Sequence, residues 1–139
     1  MPRIVTTDFL INFGDCDPAG IVFYPNFSRW MDASSLNFFV ACGIPIWSEL
    51  AKTTGILGTP LLEINVKYAN AAKYGETIRI STSVEEWREK VFVQKHVITR
   101  GETLICEGRE VRAFITKHPD DPNRIKAIPI PADIRAKCE

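Results

Sequence analysis

Residues 26–41 constrain the fold more than any other stretch of this chain. Phe27, Trp30, Met31, Ser34 and Phe38 fall at i, i+3, i+4, i+7 and i+11, one stripe of an α-helix. Phe39 and Val40 widen the apolar surface, so the helix is expected to be largely enclosed by protein. Pro25 suits its first turn, and Gly43 and Pro45 stop it. A second short helix carrying Trp47 is expected over 45–53. After Leu57 the character changes to period-two alternation. Leu62, Ile64, Val66 and Tyr68 alternate with Glu63, Asn65 and Lys67. Further strands are expected over 76–87, 91–100 and 103–115, joined at Arg88-Glu89-Lys90 and Arg100-Gly101-Glu102 with hairpin-like spacing. Residues 3–13 read as a first strand. Arg124–Ile128 reads as a last short strand, and Pro131-Ala132-Asp133 as the opening of a terminal helical turn. The expected order is one strand, one long helix and a meander of about four antiparallel strands, an α+β domain spanning 1–139.

The bulk numbers exclude some function classes. The chain has 139 residues and 45% hydrophobic content, enough for one core. Seventeen basic and seventeen acidic residues leave a formal net charge of +0, so no electrostatic grip on nucleic acid or a membrane surface is expected. No apolar run approaches membrane-spanning length, and charge interrupts residues 1–8 before any signal-peptide core forms. The four cysteines, Cys16, Cys42, Cys106 and Cys138, form no C-x-x-C pair and no zinc spacing. They read as reduced thiols of a cytoplasmic protein. No metal and no separate cofactor are expected.

The chemistry concentrates in Asp15-Cys16-Asp17-Pro18-Ala19-Gly20. By itself this is a turn sequence, since Asp, Pro and Gly are ordinary turn residues. It also puts a carboxylate a few residues before a strong helix, whose first N–H groups are free to polarise an electrophile. A carboxylate beside such donors can attack an acyl carbonyl or activate a water against it. Asp15 competes with Asp17: in an extended segment the two would face the same way and repel. Cys16 is a second nucleophile candidate, but neither His96 nor His118 falls near it in sequence.

Phe13-Gly14-Asp15-Cys16-Asp17-Pro18-Ala19-Gly20-Ile21-Val22-Phe23-Tyr24-Pro25-Asn26 resembles the signature of the 4-hydroxybenzoyl-CoA thioesterase family. The likeness continues through Arg29-Trp30-Met31-Asp32, Cys42-Gly43, Gly58-Thr59-Pro60, Glu86-Trp87-Arg88, Phe92-Val93-Gln94, Ala127-Ile128 and Pro131-Ala132-Asp133. The resemblance implies a hot-dog fold: a curved antiparallel sheet of about five strands wrapped around a long central helix. It implies hydrolysis of an acyl-CoA, with coenzyme A as the substrate's carrier. Asp17 would be the nucleophile or general base, and the backbone N–H at Tyr24 the carbonyl donor. Asp32, Trp47 and Thr59 would surround an aryl group, some supplied by a neighbouring subunit. Arg88, Lys90, Arg124 and Lys126 would hold the CoA phosphates, although Glu89 and Val91 interrupt the first basic run and Lys126 stands where arginine is expected. Dimers or tetramers with sites at the subunit interface follow from the same resemblance. Esters of short aliphatic acids or of a carrier protein, and a non-catalytic acyl-CoA-binding module, remain alternatives.

Overall fold

The structure, a computed structural model, describes residues 2–139. Strand β1 (Val5–Leu10) leads through a 3-10 turn (Phe13–Asp15) to α1 (Pro25–Ala41) and α2 (Trp47–Thr54). Then come β2 (Leu61–Tyr68), β3 (Thr77–Trp87), β4 (Val91–Arg100), β5 (Thr103–Ala113), β6 (Ile115–Lys117), β7 (Ile125–Ala127) and α3 (Ala132–Cys138). The main sheet has five strands in the order β1-β3-β4-β5-β2, every pair antiparallel. The α+β hot-dog architecture expected from the sequence is the one observed.

Several details differ from the sequence reading. Only β3, β4 and β5 form a meander; β2 pairs with β5 and closes the far edge of the sheet. The first strand ends at Leu10, because Ile11 turns inward, 1% exposed, and the chain enters the 3-10 turn. The strand expected over 103–115 breaks at Phe114, and Ile115 starts a separate hairpin with β7. The terminal turn extends to a helix reaching Cys138.

α1 lies across the sheet and touches all five strands. Trp30 stacks on Phe9 of β1, Phe27 meets Tyr68 of β2, and Phe39 meets Phe92 of β4. Met31 joins Ile78 and Ile80 of β3 in one cluster. It also lies so close to Gly108 of β5 that a Cβ there would sit 2.6 Å from its sulfur, so a side chain at this position would displace the flexible tip of Met31 from its place in the core. The predicted stripe of α1 is buried throughout. The helix is not enclosed, however: Arg29, Asp32, Ala33, Asn37 and Val40 leave its opposite face open.

Two apolar clusters result. One gathers Phe27, Trp30 and Met31 with Ile78, Ile80, Ile98 and Ile105; the other gathers Phe38 and Phe39 with Phe92, Phe114, Leu50 and Ile134. Between them runs a polar layer of Ser34, Ser35, Thr82, Gln94, His96 and Glu110, all buried.

Candidate active site

The loop before α1 is built mainly by its backbone. Cys16 bridges Val22, the Asp17 N–H donates to the Ile21 carbonyl, and the Gly20 N–H donates back to the Asp17 carbonyl. Gly20 makes this reversal possible at φ 81°, where a Cβ would be strained. The base of the loop is tied to the helix. The Phe23 N–H and the Asn26 amide both donate to the Asp15 carbonyl, at 2.9 and 2.7 Å. The carboxylates diverge, contrary to the expectation that they share a face. Asp15 sits in the 3-10 turn, accepting from the Asn12 N–H at 2.9 Å and from Arg29 at 3.1 Å. Asp17 Oδ1 accepts from the Ala19 N–H at 2.9 Å. Its other oxygen has no protein partner among the described residues. Asp15 thus serves the loop, and Asp17 keeps an oxygen for other work.

Tyr24 is the N-cap of α1, followed by Pro25 at the first helical position. Among the described residues no loop, cap or side-chain acceptor takes the Tyr24 N–H. It is one of the orphan donors that every helix start leaves, and it lies at the positive end of the helix field. Such a fixed donor suits an oxygen that gains charge in a tetrahedral transition state. Tyr24 also lines a cavity of about 300 Å³ with Val22, Phe27, Tyr68 and Ala72. Cys16 is a half-buried thiol facing the Asn12 carbonyl at 3.7 Å, with no histidine in its contacts.

Asp32, Trp47 and Thr59, distant in sequence, line a second cavity of about 450 Å³ with Arg112, Leu61 and Ile115. This cavity is not the one beside Tyr24. Asp32 lies eight residues along α1 from Tyr24, about 12 Å at helical rise. The Trp47 ring is fixed against Phe39 and Phe114, and Gly58 approaches it so closely that a Cβ would stand 3.4 Å away. The partner that a carboxylate on this helix needs is Arg112, which donates to Asp32 Oδ1 at 2.8 Å.

Sequence reasoning missed Arg112 and the groups behind it. Arg112 is 4% exposed, and its guanidinium forks onto Glu110, at 3.2 and 2.8 Å, while donating to the Thr59 carbonyl at 2.8 Å. Glu110 in turn accepts from His96 Nε2, and His96 Nδ1 meets the Thr82 hydroxyl at 2.8 Å. Burial alone would raise the Glu110 carboxyl, but hydrogen bonds and positive charge from His96 and Arg112 hold it below its ordinary value. The signal was present in the strands: Gln94 and His96 share the parity of Phe92 and Ile98, and Glu110 and Arg112 that of Cys106. Charged residues at inward positions announce a buried network.

The four candidate phosphate contacts gather at the end of the sheet that holds the second cavity. Arg88 and Lys90 flank the β3–β4 turn, and Arg124 and Lys126 lie on and beside β7; all four are exposed. Arg88 is not a free cation, since Glu86 accepts from it at 3.0 and 3.1 Å. The Ile130 N–H donates to the Glu89 carbonyl at 2.9 Å, joining the two segments.

Comparison with known proteins agrees with this geometry. Residues 11–138 match the model of the thioesterase-like superfamily. The chain is 41% identical over 143 residues to the 4-hydroxybenzoyl-CoA thioesterase of Pseudomonas sp. (strain CBS-3), covering 99% of both. A crystal structure of a mutant 4-hydroxybenzoyl-CoA thioesterase complexed with 4-hydroxybenzoyl-CoA superposes with a TM-score of 0.92 at 41% identity, covering 99% of each chain. A gentisyl-coenzyme A thioesterase superposes with a TM-score of 0.84 at 30% identity, over 97% of this chain and all of that one (100%). Matched along nearly its whole length by the family model and by a curated thioesterase, the chain belongs to the thioesterase-like superfamily and is a thioester hydrolase of the 4-hydroxybenzoyl-CoA thioesterase family.

Proposed function

We propose that this hydrolase cleaves an aryl-CoA, 4-hydroxybenzoyl-CoA in the first instance, to the free acid and coenzyme A. The thioester carbonyl docks on the Tyr24 N–H. Asp17 then attacks it to form an acyl anhydride that water opens, or directs a water onto it. Either way the C–S bond breaks and CoA leaves as the thiol. Asp32 accepts a hydrogen bond from the phenol, with Trp47 and Thr59 as the walls around the ring. Arg88, Lys90, Arg124 and Lys126 contact the CoA phosphates, Arg88 after exchanging Glu86 for a phosphate oxygen. The coenzyme arrives with the substrate, so the reaction calls for no separate cofactor or metal. The four free cysteines suit a reducing cytoplasm, and no helix is long and apolar enough to cross a membrane.

One observation carries the reading. The two cavities lie at opposite ends of the same edge strand: Leu61 opens β2 beside Asp32, and Tyr68 closes it beside Tyr24. The span between them exceeds what one aromatic ring bridges within a chain. Two copies pairing their free β2 edges antiparallel would bring the Tyr68 end of one against the Leu61 end of the other. A homodimer, or a tetramer of such dimers, then holds two complete sites at its interface and removes an exposed edge.

The test is thiol release from a panel of aryl- and alkyl-CoA esters, run with Asp17→Asn, alongside light scattering. The expected result is strong turnover of 4-hydroxybenzoyl-CoA by a dimer or larger assembly, lost in the variant while ester binding survives. Undiminished turnover by Asp17→Asn removes Asp17 from the mechanism. Activity confined to aliphatic or carrier-protein esters discards the aryl substrate, and a fully active monomer discards the shared site.

A further inference from the structure

The buried polar layer has one exposed end, and that end is Asp32. An aspartate on an open helix face, its side chain 72% exposed, would ordinarily sample several rotamers in water. Here Arg112 engages Oδ1 and leaves Oδ2 without a protein partner among the described residues. Arg112 itself is fixed from three sides: the Glu110 fork, the Thr59 carbonyl and Asp32. Glu110 is fixed by His96, and His96 by Thr82. A core of this volume can be filled with apolar side chains at no loss of stability, so ion pairing alone gives the layer no purpose. Its use lies where it emerges.

We propose that Arg112 is a specificity-determining positioning residue, which sets the preference for acyl groups carrying a distal hydroxyl by presenting one fixed oxygen of Asp32. The inference rests on reading the Asp32 cavity as the acyl site. Arginine is required because a single planar fork must bridge Glu110, Thr59 and Asp32 together; lysine offers a point charge and cannot span all three. The chain from Thr82 through His96 and Glu110 acts only by holding that fork still.

The measurement is the ratio of kcat/KM for 4-hydroxybenzoyl-CoA to that for benzoyl-CoA in wild type, Asp32→Ala, Arg112→Lys and the double variant. A hydrogen bond to a charged acceptor discriminates by about 10- to 100-fold. Asp32→Ala is expected to abolish that ratio, Arg112→Lys to lower it by about tenfold, and the double variant to match Asp32→Ala alone. If Asp32→Ala leaves the ratio intact, the acyl-site reading itself fails. If Asp32→Ala lowers the ratio and Arg112→Lys does not, that reading stands and the present inference falls. It falls equally if Arg112→Lys slows both esters by the same factor, the mark of a merely structural role. Should Arg112→Lys not fold, Glu110→Gln replaces it: the gentler loosening of the fork is expected to lower the ratio about threefold, and an unchanged ratio in folded Glu110→Gln overturns the inference.

Discussion

The start and the middle of α1 are built by opposite means. At its start, one contiguous segment, residues 13–26, folds on its own backbone hydrogen bonds and leaves Asp17 and the Tyr24 N–H available. Eight residues along, the Asp32 cavity draws side chains from α1, α2, the segment before β2, and β5, with β3 and β4 behind them. The start spends little stability on its candidate groups; the middle embeds them in buried charge. On the proposed function, reaction chemistry is local and selectivity is distributed, which suits a fold that varies its substrate without rebuilding its catalytic loop.

Two substitutions should separate the two regions most widely. Asp17→Asn is expected to cut turnover on the order of a thousandfold, with no loss of thermal stability, because the amide oxygen still accepts from the Ala19 N–H. Glu110→Leu should act in the opposite sense on the fold. It strands Arg112 and His96 without their shared carboxylate and is expected to cost about 3 kcal/mol in urea unfolding. A Glu110→Leu protein as stable as wild type, or an Asp17→Asn protein that melts early, would dissolve the distinction.

Acid sharpens the same contrast by a smaller amount. The Glu110 carboxyl is held below its ordinary value of 4.5. A lowered carboxylate contributes stability in full above its unfolded value, and that contribution drains as pH falls through the folded one. Stability should therefore decline as pH drops below about 4.5, and Glu110→Gln should flatten that decline. The carboxylates of Asp8, Glu85 and Glu86 are also lowered by their arginine partners, but they lie at the surface. Repeating the titration in high salt screens those pairs and spares the buried one; a slope that vanishes with salt would assign the effect to the surface.

What the sequence disclosed follows the same division. Period and punctuation revealed α1, α2 and the strands after Leu57, because these depend on neighbours within a few residues. Strand order was not legible. β2 pairs with β5, some forty residues away, and nothing in Leu61–Tyr68 names that partner. The turn that carries Asp17 and the helix start at Tyr24 were legible because that loop is continuous. The partner of Asp32 was not legible, because Arg112 lies eighty positions along the chain, a contact that only the closed sheet creates. Glu110 and His96 stand on alternating strands, and only the inward parity that they share with buried Cys106 and with Phe92 and Ile98 marks them as parts of a network.

The bond from the Ile130 N–H to the Glu89 carbonyl carries a consequence for the coenzyme end. Glu89 interrupts a basic run, but its backbone welds the β3–β4 turn to the strap that follows β7. The two basic pairs therefore ride on segments tied to each other by their backbones. If both pairs hold the CoA phosphates as proposed, fewer independent backbone motions have to be stilled on binding, which offsets part of what a lysine at 126 forgoes in stacking.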